Sequence, residues 1–294
     1  MVLASAMNGQ AAILLYKSGD MEHWSYVKPL LTEKEEGIRC FECPDFFSLD
    51  GSYVAWGALM CHKDPGGRFQ MSRYYTGEFK DENFSVESTG WYDFGSNCYA
   101  MQSFEHEGRR IAIGWISDFY GEHIKAEDSA YGSATIPRVL HVKEHKLYMT
   151  PVEEIYTLKG EKLYTGEKEN ICLQQITGNS FYAGISFAGD TDFNLLLGRD
   201  GKKEIRFVKE NGFAGIRTSG VKSETVKFPA DVDVIRNMEI FVDRRVVEIY
   251  LNGGEAAGTK LFYNSNTDGC FILEAEEPEK IERAEVSMMR SVWQ

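Results

Sequence analysis

Short runs in which apolar and polar residues alternate recur along this chain, with turn-forming residues between them. They include AAILLYKS (11–18), SYVAWGALM (52–60), RRIAIGWIS (109–117), FNLLLGR (193–199), EIRFVKE (204–210) and MEIFVDRRVVEIYLNGG (238–254). A repeat of two marks a strand, because successive side chains leave the backbone on opposite faces. The last run is the clearest. Met238, Ile240 and Val242 alternate with Glu239, Phe241 and Asp243, and Val247, Ile249 and Leu251 alternate with Glu248, Tyr250 and Asn252. Asn252-Gly253-Gly254 then supplies residues that accept positive φ, as a tight turn requires. The opening stretch, MVLASAMNGQAAILLYKSGD, has no basic residue ahead of its small-residue ASA and no long apolar centre. It reads as strand rather than secretory leader. Helical periodicity is scarce, so the pattern predicts an all-β protein: a sandwich, a barrel or a propeller.

The texture changes around residues 150–165. Before that point the chain is rich in Trp and carries long polar loops such as GEHIKAEDSAYGS; after it, GNS, GDTD, RDGKK and NSNTDG turns separate shorter strands. A boundary near Leu158 divides the chain into residues 1–157 and 158–294. In the first part Trp24, Phe84 and Trp91 each follow a strand–turn–strand block at a loose spacing of ~50 residues, as propeller blades would place them.

Composition narrows the function classes. With 294 residues the chain is long enough for two domains, and its 43% hydrophobic content suits a full core. The net charge of −13 repels phosphate backbones and anionic lipid, which argues against nucleic acid and membrane surfaces as partners. Neutral polar ligands fit better, and the 18 Phe and 15 Tyr suit sugar-binding surfaces as well as strands. No run of ~20 apolar residues is present to span a bilayer. Six irregularly spaced cysteines read as reduced, buried thiols of a cytoplasmic protein rather than as a disulfide framework.

One stretch stands apart chemically: CFECPDFF, residues 40–47. Cys40-x-x-Cys43 has no second Cys or His pair at zinc spacing, nor the βαβ setting of a redox dithiol, so neither a metal nor any other cofactor is expected. Glu42, ringed by Phe41, Phe46 and Phe47 and held by Pro44, is expected to be partly desolvated. Desolvation lets a carboxyl keep a proton near neutral pH, as a general acid must. The alternative is an ordinary strand carboxylate. His62, His106, His123, His141 and His145 are spread too widely for a metal cluster, and Glu33–Gly37 reads as a solvated turn.

FECPDFF resembles the Glu-Cys-Pro motif of glycoside hydrolase family 32, the β-fructofuranosidases. Four further stretches resemble that family in the same order: LLYKSGDMEHWSYVKPL; YDFGSNCYAMQSF with RRIAIGWI; YGSATIPRVL with KLYMTPVEEI; and IFVDRRVVEIYLNGGE. The resemblance covers essentially the whole chain. It implies an incomplete five-bladed β-propeller, roughly its last three blades, followed by a C-terminal β-sandwich. It also implies retaining hydrolysis of a fructofuranosyl bond in sucrose or a fructan, with Glu42 as acid/base, and a sugar site that includes Asn97, Tyr99, Gln102 and Trp115. Tyr99 serves equally well as a core aromatic, and Trp115 and Trp56 as packing groups.

The chain also departs from the family pattern. A retaining site needs a second carboxylate ~5–5.5 Å from the acid/base. The family's nucleophile lies in an Asn-Asp-Pro-Asn-Gly block and its stabilising Asp in Arg-Asp-Pro, and neither block occurs here. By the resemblance, Met1–Leu3 falls on the second strand of the third blade, so two blades are expected to be missing. Asp64-Pro65-Gly66-Gly67 looks like a substitute, but it is ordinary turn chemistry. Asn97 and Met101 stand where the family commonly has Asp and Pro. Asp93, Asp118 and Glu127 fall in loops and read as solvated charges. The readings left open are a fructosidase, a non-catalytic carbohydrate-binding or scaffold protein of the same descent, and a fragment of a longer chain; in addition, a second copy is expected to cover the exposed blade flanks in a homodimer.

Overall fold

The computed structural model describes residues 1–35, 37–121, 132–262 and 268–292. Its strands form five antiparallel sheets. The first contains β1 (Val2–Met7), β2 (Gln10–Lys17) and β3 (Ser25–Thr32). The second contains β4 (Phe41–Leu49), β5 (Ser52–Leu59), β6 (Ser72–Lys80) and β7 (Asn83–Trp91). The third contains β8 (Cys98–His106), β9 (Arg109–Ile116), the short β10 (Ser133–Ala134), β11 (Arg138–Lys143) and β12 (Lys146–Pro151). Each strand pairs with the next along the chain, as in propeller blades, except that β11 joins β9 directly. The prolines inside strands fall where pairing tolerates a missing N–H. Pro29 lies on the edge strand β3 beside a register shift, and Pro44 lies within a bulge.

Packing joins the three sheets face to face. Ala11, Ile13, Leu30, Phe41, Leu59 and Tyr75 fill the space between the first two. Phe47, Val54, Trp56, Met101, Ala112 and Leu147 fill the space between the second and third. Each large apolar side chain fully buried this way contributes about 1.5–3 kcal/mol. Glu33 belongs to the first interface and is not part of a solvated turn. It is buried, and accepts hydrogen bonds from the Tyr75 hydroxyl and from Arg73 Nη1 at 3.0 Å. Burial alone would raise its pKa, but the bonds from Tyr75, the Glu35 N–H and Arg73 outweigh it and hold the carboxyl below its ordinary value.

After a short 3-10 turn at Glu153–Leu158 come two facing six-stranded sheets. One runs β13 (Lys159–Gly166), β24 (Ile281–Met289), β15 (Ser180–Phe187), β20 (Asn237–Asp243), β21 (Val246–Leu251), β22 (Ala256–Leu261). The other runs β14 (Ile171–Thr177), β23 (Asp268–Ala275), β16 (Phe193–Asp200), β17 (Lys203–Glu210), β18 (Phe213–Ser219), β19 (Phe228–Pro229). Met238, Ile240, Val242, Val247, Ile249 and Leu251 face the core between these sheets, as their alternation predicts. The opposite face, which reads as half polar, is buried too. Phe241, Tyr250, Tyr182 and Ala257 pack against Tyr92, Leu147 and Met149 of the third blade.

That second face carries a buried ion cluster. Arg138 Nη2 donates to Asp93 Oδ2 (3.0 Å), Glu248 Oε2 (3.1 Å) and Thr259 Oγ1 (2.6 Å). Asp93 Oδ1 also accepts from the N–H groups of Gly95 and Thr259, each at 2.8 Å. Asp93 is therefore no solvated loop charge; it is 3% exposed and ties the third blade to the sandwich. The two backbones approach so closely that a Cβ on Gly95 would overlap the Thr259 carbonyl. Gly95→Ala is expected to destabilise the protein by about 1–3 kcal/mol. A lower urea midpoint at unchanged slope reads this out, and an unaltered midpoint would show that the interface yields.

The thiols depart from the sequence reading. All six cysteines are free; Cys98 and Cys270 are buried, but Cys43, Cys61 and Cys172 are exposed. His62 is buried in the β5–β6 connection. No described helix is long and apolar enough to cross a membrane.

Candidate active site

Glu42 is the second residue of β4 and pairs with Ala58, but the register slips between Glu42 and Asp45. Cys43 takes φ 48° there. A matching slip lies between Tyr99 and Gln102 on β8, where Ala100 takes φ 50°. A non-glycine residue in the left-handed region costs about 1–2 kcal/mol, and such bulges commonly re-aim side chains beside functional sites. The two bulges meet. Tyr99 Oη donates to Glu42 Oε2 at 2.7 Å, and Gln102 Nε2 donates to the Cys43 carbonyl at 3.1 Å and to the Met101 carbonyl at 2.8 Å.

A brace beside them holds the two strands in register. Asp45 Oδ2 accepts from the Ser103 N–H (3.1 Å) and hydroxyl (2.5 Å), and Oδ1 accepts from the Phe46 N–H at 2.9 Å. Arg110 Nε donates to the Ser103 hydroxyl at 2.8 Å while its guanidinium lies 4.0 Å over Phe47. Both oxygens of Asp45 are thus engaged in structure.

The aromatic ring expected around Glu42 is dispersed by the pleat and the bulge. Phe41 meets Tyr75, Phe46 stacks on Tyr53, and Phe47 meets Trp56. A different set stands beside the carboxylate. The Tyr99 ring packs edge-on against Phe119 at 5.4 Å, and Phe119 against Trp115 at 5.8 Å. Tyr99 is buried, and burial, reinforced by the hydrogen bond to Glu42, pushes its phenol pKa far up, so it remains a proton donor to the carboxylate. Burial together with the Glu42 charge also raises the Cys40 and Cys43 thiols, which keeps them protonated and inert.

The other sequence candidates divide. Trp115 is 44% exposed and offers a face to solvent, whereas Trp56 is fully buried and donates to the Met101 carbonyl at 3.3 Å. Gln102 is exposed beside the bulge. Asn97 is buried with its amide spent: Nδ2 donates to the Ser117 carbonyl at 2.6 Å and Oδ1 accepts from the Leu261 N–H at 3.3 Å. It therefore braces the blade against the sandwich and does not face an open surface. Asp64 closes its own turn, accepting from the Arg68 N–H at 2.7 Å and from Arg68 Nε at 2.8 Å. Glu127 and His123 lie outside the described residues. Among the described residues no group of three or more His, Cys, Asp or Glu side chains is placed to hold a metal. Phe119 is the residue that sequence reasoning missed; its only local signal is its place in the loop after the Gly-Trp strand.

Comparison with known proteins bears on the family of the chain. The profile of the glycosyl hydrolases family 32 N-terminal domain matches residues 1–151, and that of the family 32 C-terminal region matches residues 159–287. A sucrose-6-phosphate hydrolase from Zymomonas mobilis is 27% identical over 85% of this chain and 53% of its own length. A levanase from Bacillus subtilis is 24% identical over 96% of this chain and 47% of its own. A solved glycoside hydrolase family 32 structure from Bifidobacterium adolescentis superposes with a TM-score of 0.90 at 32% identity, covering 99% of this chain and 48% of that one. The chain thus spans about half the length of the curated relatives it matches. With both profiles matched in order across blades and sandwich, the chain belongs to glycosyl hydrolase family 32.

Proposed function

We propose that this chain carries the acid/base half of a β-fructosidase site acting on fructose-containing sugars, sucrose or fructans. The observation that carries the reading is the Tyr99–Glu42 hydrogen bond between two facing bulges, beside an exposed tryptophan. In this reading a carboxylate supplied from outside these residues attacks the anomeric carbon while Glu42 protonates the departing glycosidic oxygen, and Glu42 then takes a proton from the water that releases the fructosyl ester, as retaining hydrolysis requires. Tyr99 holds the carboxylate, and Trp115 with Gln102 contacts the sugar. Residues 1–157 form the catalytic unit and 158–294 its sandwich. A cytoplasmic location fits six cysteines without a disulfide. Release of fructose from sucrose, inulin or levan by the purified chain tests the reading; no release, with Glu42→Gln indistinguishable from the parent, defeats it.

The missing Asn-Asp-Pro-Asn-Gly and Arg-Asp-Pro blocks favour a second reading, a carbohydrate-binding protein without turnover. Saturable heat on titrating short fructans, without fructose release, would distinguish it. Either reading includes a homodimer. Leu3 and Leu14 pair on the flank of the first blade that faces away from the second, Leu3 and Tyr26 are exposed, and β1 is a sheet edge. Such a surface associates readily. Sedimentation at micromolar concentration should give twice the 33.4 kDa chain mass, and a stable monomer would exclude the dimer.

A further inference from the structure

The wall beside Glu42 is built by a blade loop but held by the sandwich. Phe119, which packs on Tyr99 and Trp115, lies in the segment that follows β9. That segment is fastened to the sandwich at three points. Asn97 bonds the Ser117 carbonyl on one side and the Leu261 N–H on the other. Next to Phe119, Tyr120 is packed against the sandwich core. Its ring meets Phe228 edge-on at 6.0 Å, under the Lys260 ammonium at 5.0 Å. Lys222, on the connection between β18 and β19, donates to the Gly121 carbonyl.

The same connection reaches the other loop bordering the site. The Lys227 N–H donates to the Gly66 carbonyl at 2.9 Å, and Gly67 faces Val226. Residues 60–71, which include Gly66, begin at Met60, whose N–H donates at 3.3 Å to the carbonyl of Cys40, two residues before Glu42. Tyr120 joins the two loops directly: its hydroxyl accepts from the Phe69 N–H at 3.3 Å. Phe119 and Tyr120 are the two central residues of a turn, closed by the Gly121 N–H donating to the Asp118 carbonyl at 3.4 Å. Seating Tyr120 in the sandwich therefore fixes where the adjoining Phe119 stands against Tyr99.

We propose that Tyr120 is a positioning residue through which the sandwich, with Lys222 as a second tie, sets the aromatic wall of the Glu42 site and hence its affinity for sugar. The proposal assigns the sandwich a part in ligand recognition beyond bracing the blades, and its sugar-affinity arm rests on the fructosidase reading above. The tether acts by removing alternative positions of Phe119, so its loss weakens binding without touching the carboxylate chemistry.

The test compares Tyr120→Leu, Lys222→Met and Phe119→Ala with the parent chain. Three measurements are made: thermal midpoint, hydrogen exchange of the peptide containing residues 96–121, and affinity for a short inulin fraction (KM if fructose is released, Kd by calorimetry if not). Lys222 is on the surface, so Lys222→Met should leave the midpoint nearly unchanged while the Ser117 and Gly121 amides exchange several-fold faster. Sugar affinity should fall on the order of three- to tenfold, the scale of coupling between contacting groups. kcat should be conserved. In the Phe119→Ala background Lys222→Met should add nothing further, because the wall it holds is gone. A lowered midpoint for Tyr120→Leu with unchanged exchange and affinity, or strict additivity of Lys222→Met and Phe119→Ala, overturns the proposal. If the parent chain neither binds nor cleaves any fructose-containing sugar, the fructosidase reading fails separately, and the exchange data alone decide the tether.

Discussion

On the fructosidase reading, replacing Glu42 by glutamine should lower any fructose release by about 10²–10⁴-fold, the usual contribution of a positioned general acid–base group. The amide is nearly isosteric, and its oxygen can still accept the Tyr99 hydroxyl bond measured at 2.7 Å in the parent. Fold, sugar affinity and thermal midpoint should therefore stay close to those of the parent while kcat collapses. What the amide cannot do is hand a proton to the leaving oxygen or take one from water. A substrate whose leaving group departs without protonation should lose much less in the first step. If Glu42→Gln lost affinity and stability together instead, the residue would be a structural carboxylate holding the β4 bulge. If a parent activity survived the change intact, proton transfer would have to come from another group.

Arg138→Met should cost about 3–5 kcal/mol of stability, the penalty for stranding buried charge. Arg138 is fully buried, as are its partners Asp93 and Glu248, so removing the guanidinium leaves two carboxylates without the cation that justifies them. Burial already raises the Glu248 pKa. With the folded value above the unfolded one near 4.5, the folded state binds more protons, and stability falls as pH rises through that window. Losing Arg138 removes a term that opposes this shift. The defect of Arg138→Met should therefore be largest near neutrality and shrink as the pH is brought down toward about 4.5. Denaturant melts across that range would show it, and a pH-independent loss would mean that packing of the guanidinium over Tyr92 and Tyr250 dominates. Adding Glu248→Gln and Asp93→Asn should recover part of the loss. Arg138→Lys should not substitute fully: an ammonium offers three donors at one point, but not the planar guanidinium that lies over both Tyr92 and Tyr250.

Much of this protein is legible in local patterns. Period two along 238–251 places Ile240, Val242, Val247 and Ile249 in the sandwich core before any coordinate is known, because a pleated strand leaves no other choice of face. FECPDFF singles out Glu42 as the candidate because its spacing resembles that of a known motif. The same rule fails at Phe41, Phe46 and Phe47. Adjacency in sequence suggests a ring around Glu42, but the pleat and the left-handed Cys43 send Phe41 and Phe46 into the first interface and Phe47 into the second. Glu33, Asp93 and Asn97 look like loop polar residues and are buried, since their partners Arg73, Arg138 and Leu261 are distant in the chain.

The amino-acid sequence by itself determined the all-β class, the family and the one carboxylate with a motif around it. These follow from short-range periodicity and fixed spacing, which any local window records. Only the tertiary structure decided that Tyr99 answers Glu42, that Phe119 completes its aromatic wall, and that the apparently polar face of β20–β21 closes on the third blade around Arg138. The Tyr99–Phe119, Tyr99–Glu42 and Arg138–Thr259 contacts join residues 20, 57 and 121 positions apart. Their energies depend on burial and facing geometry, which exist only once blades and sandwich have packed.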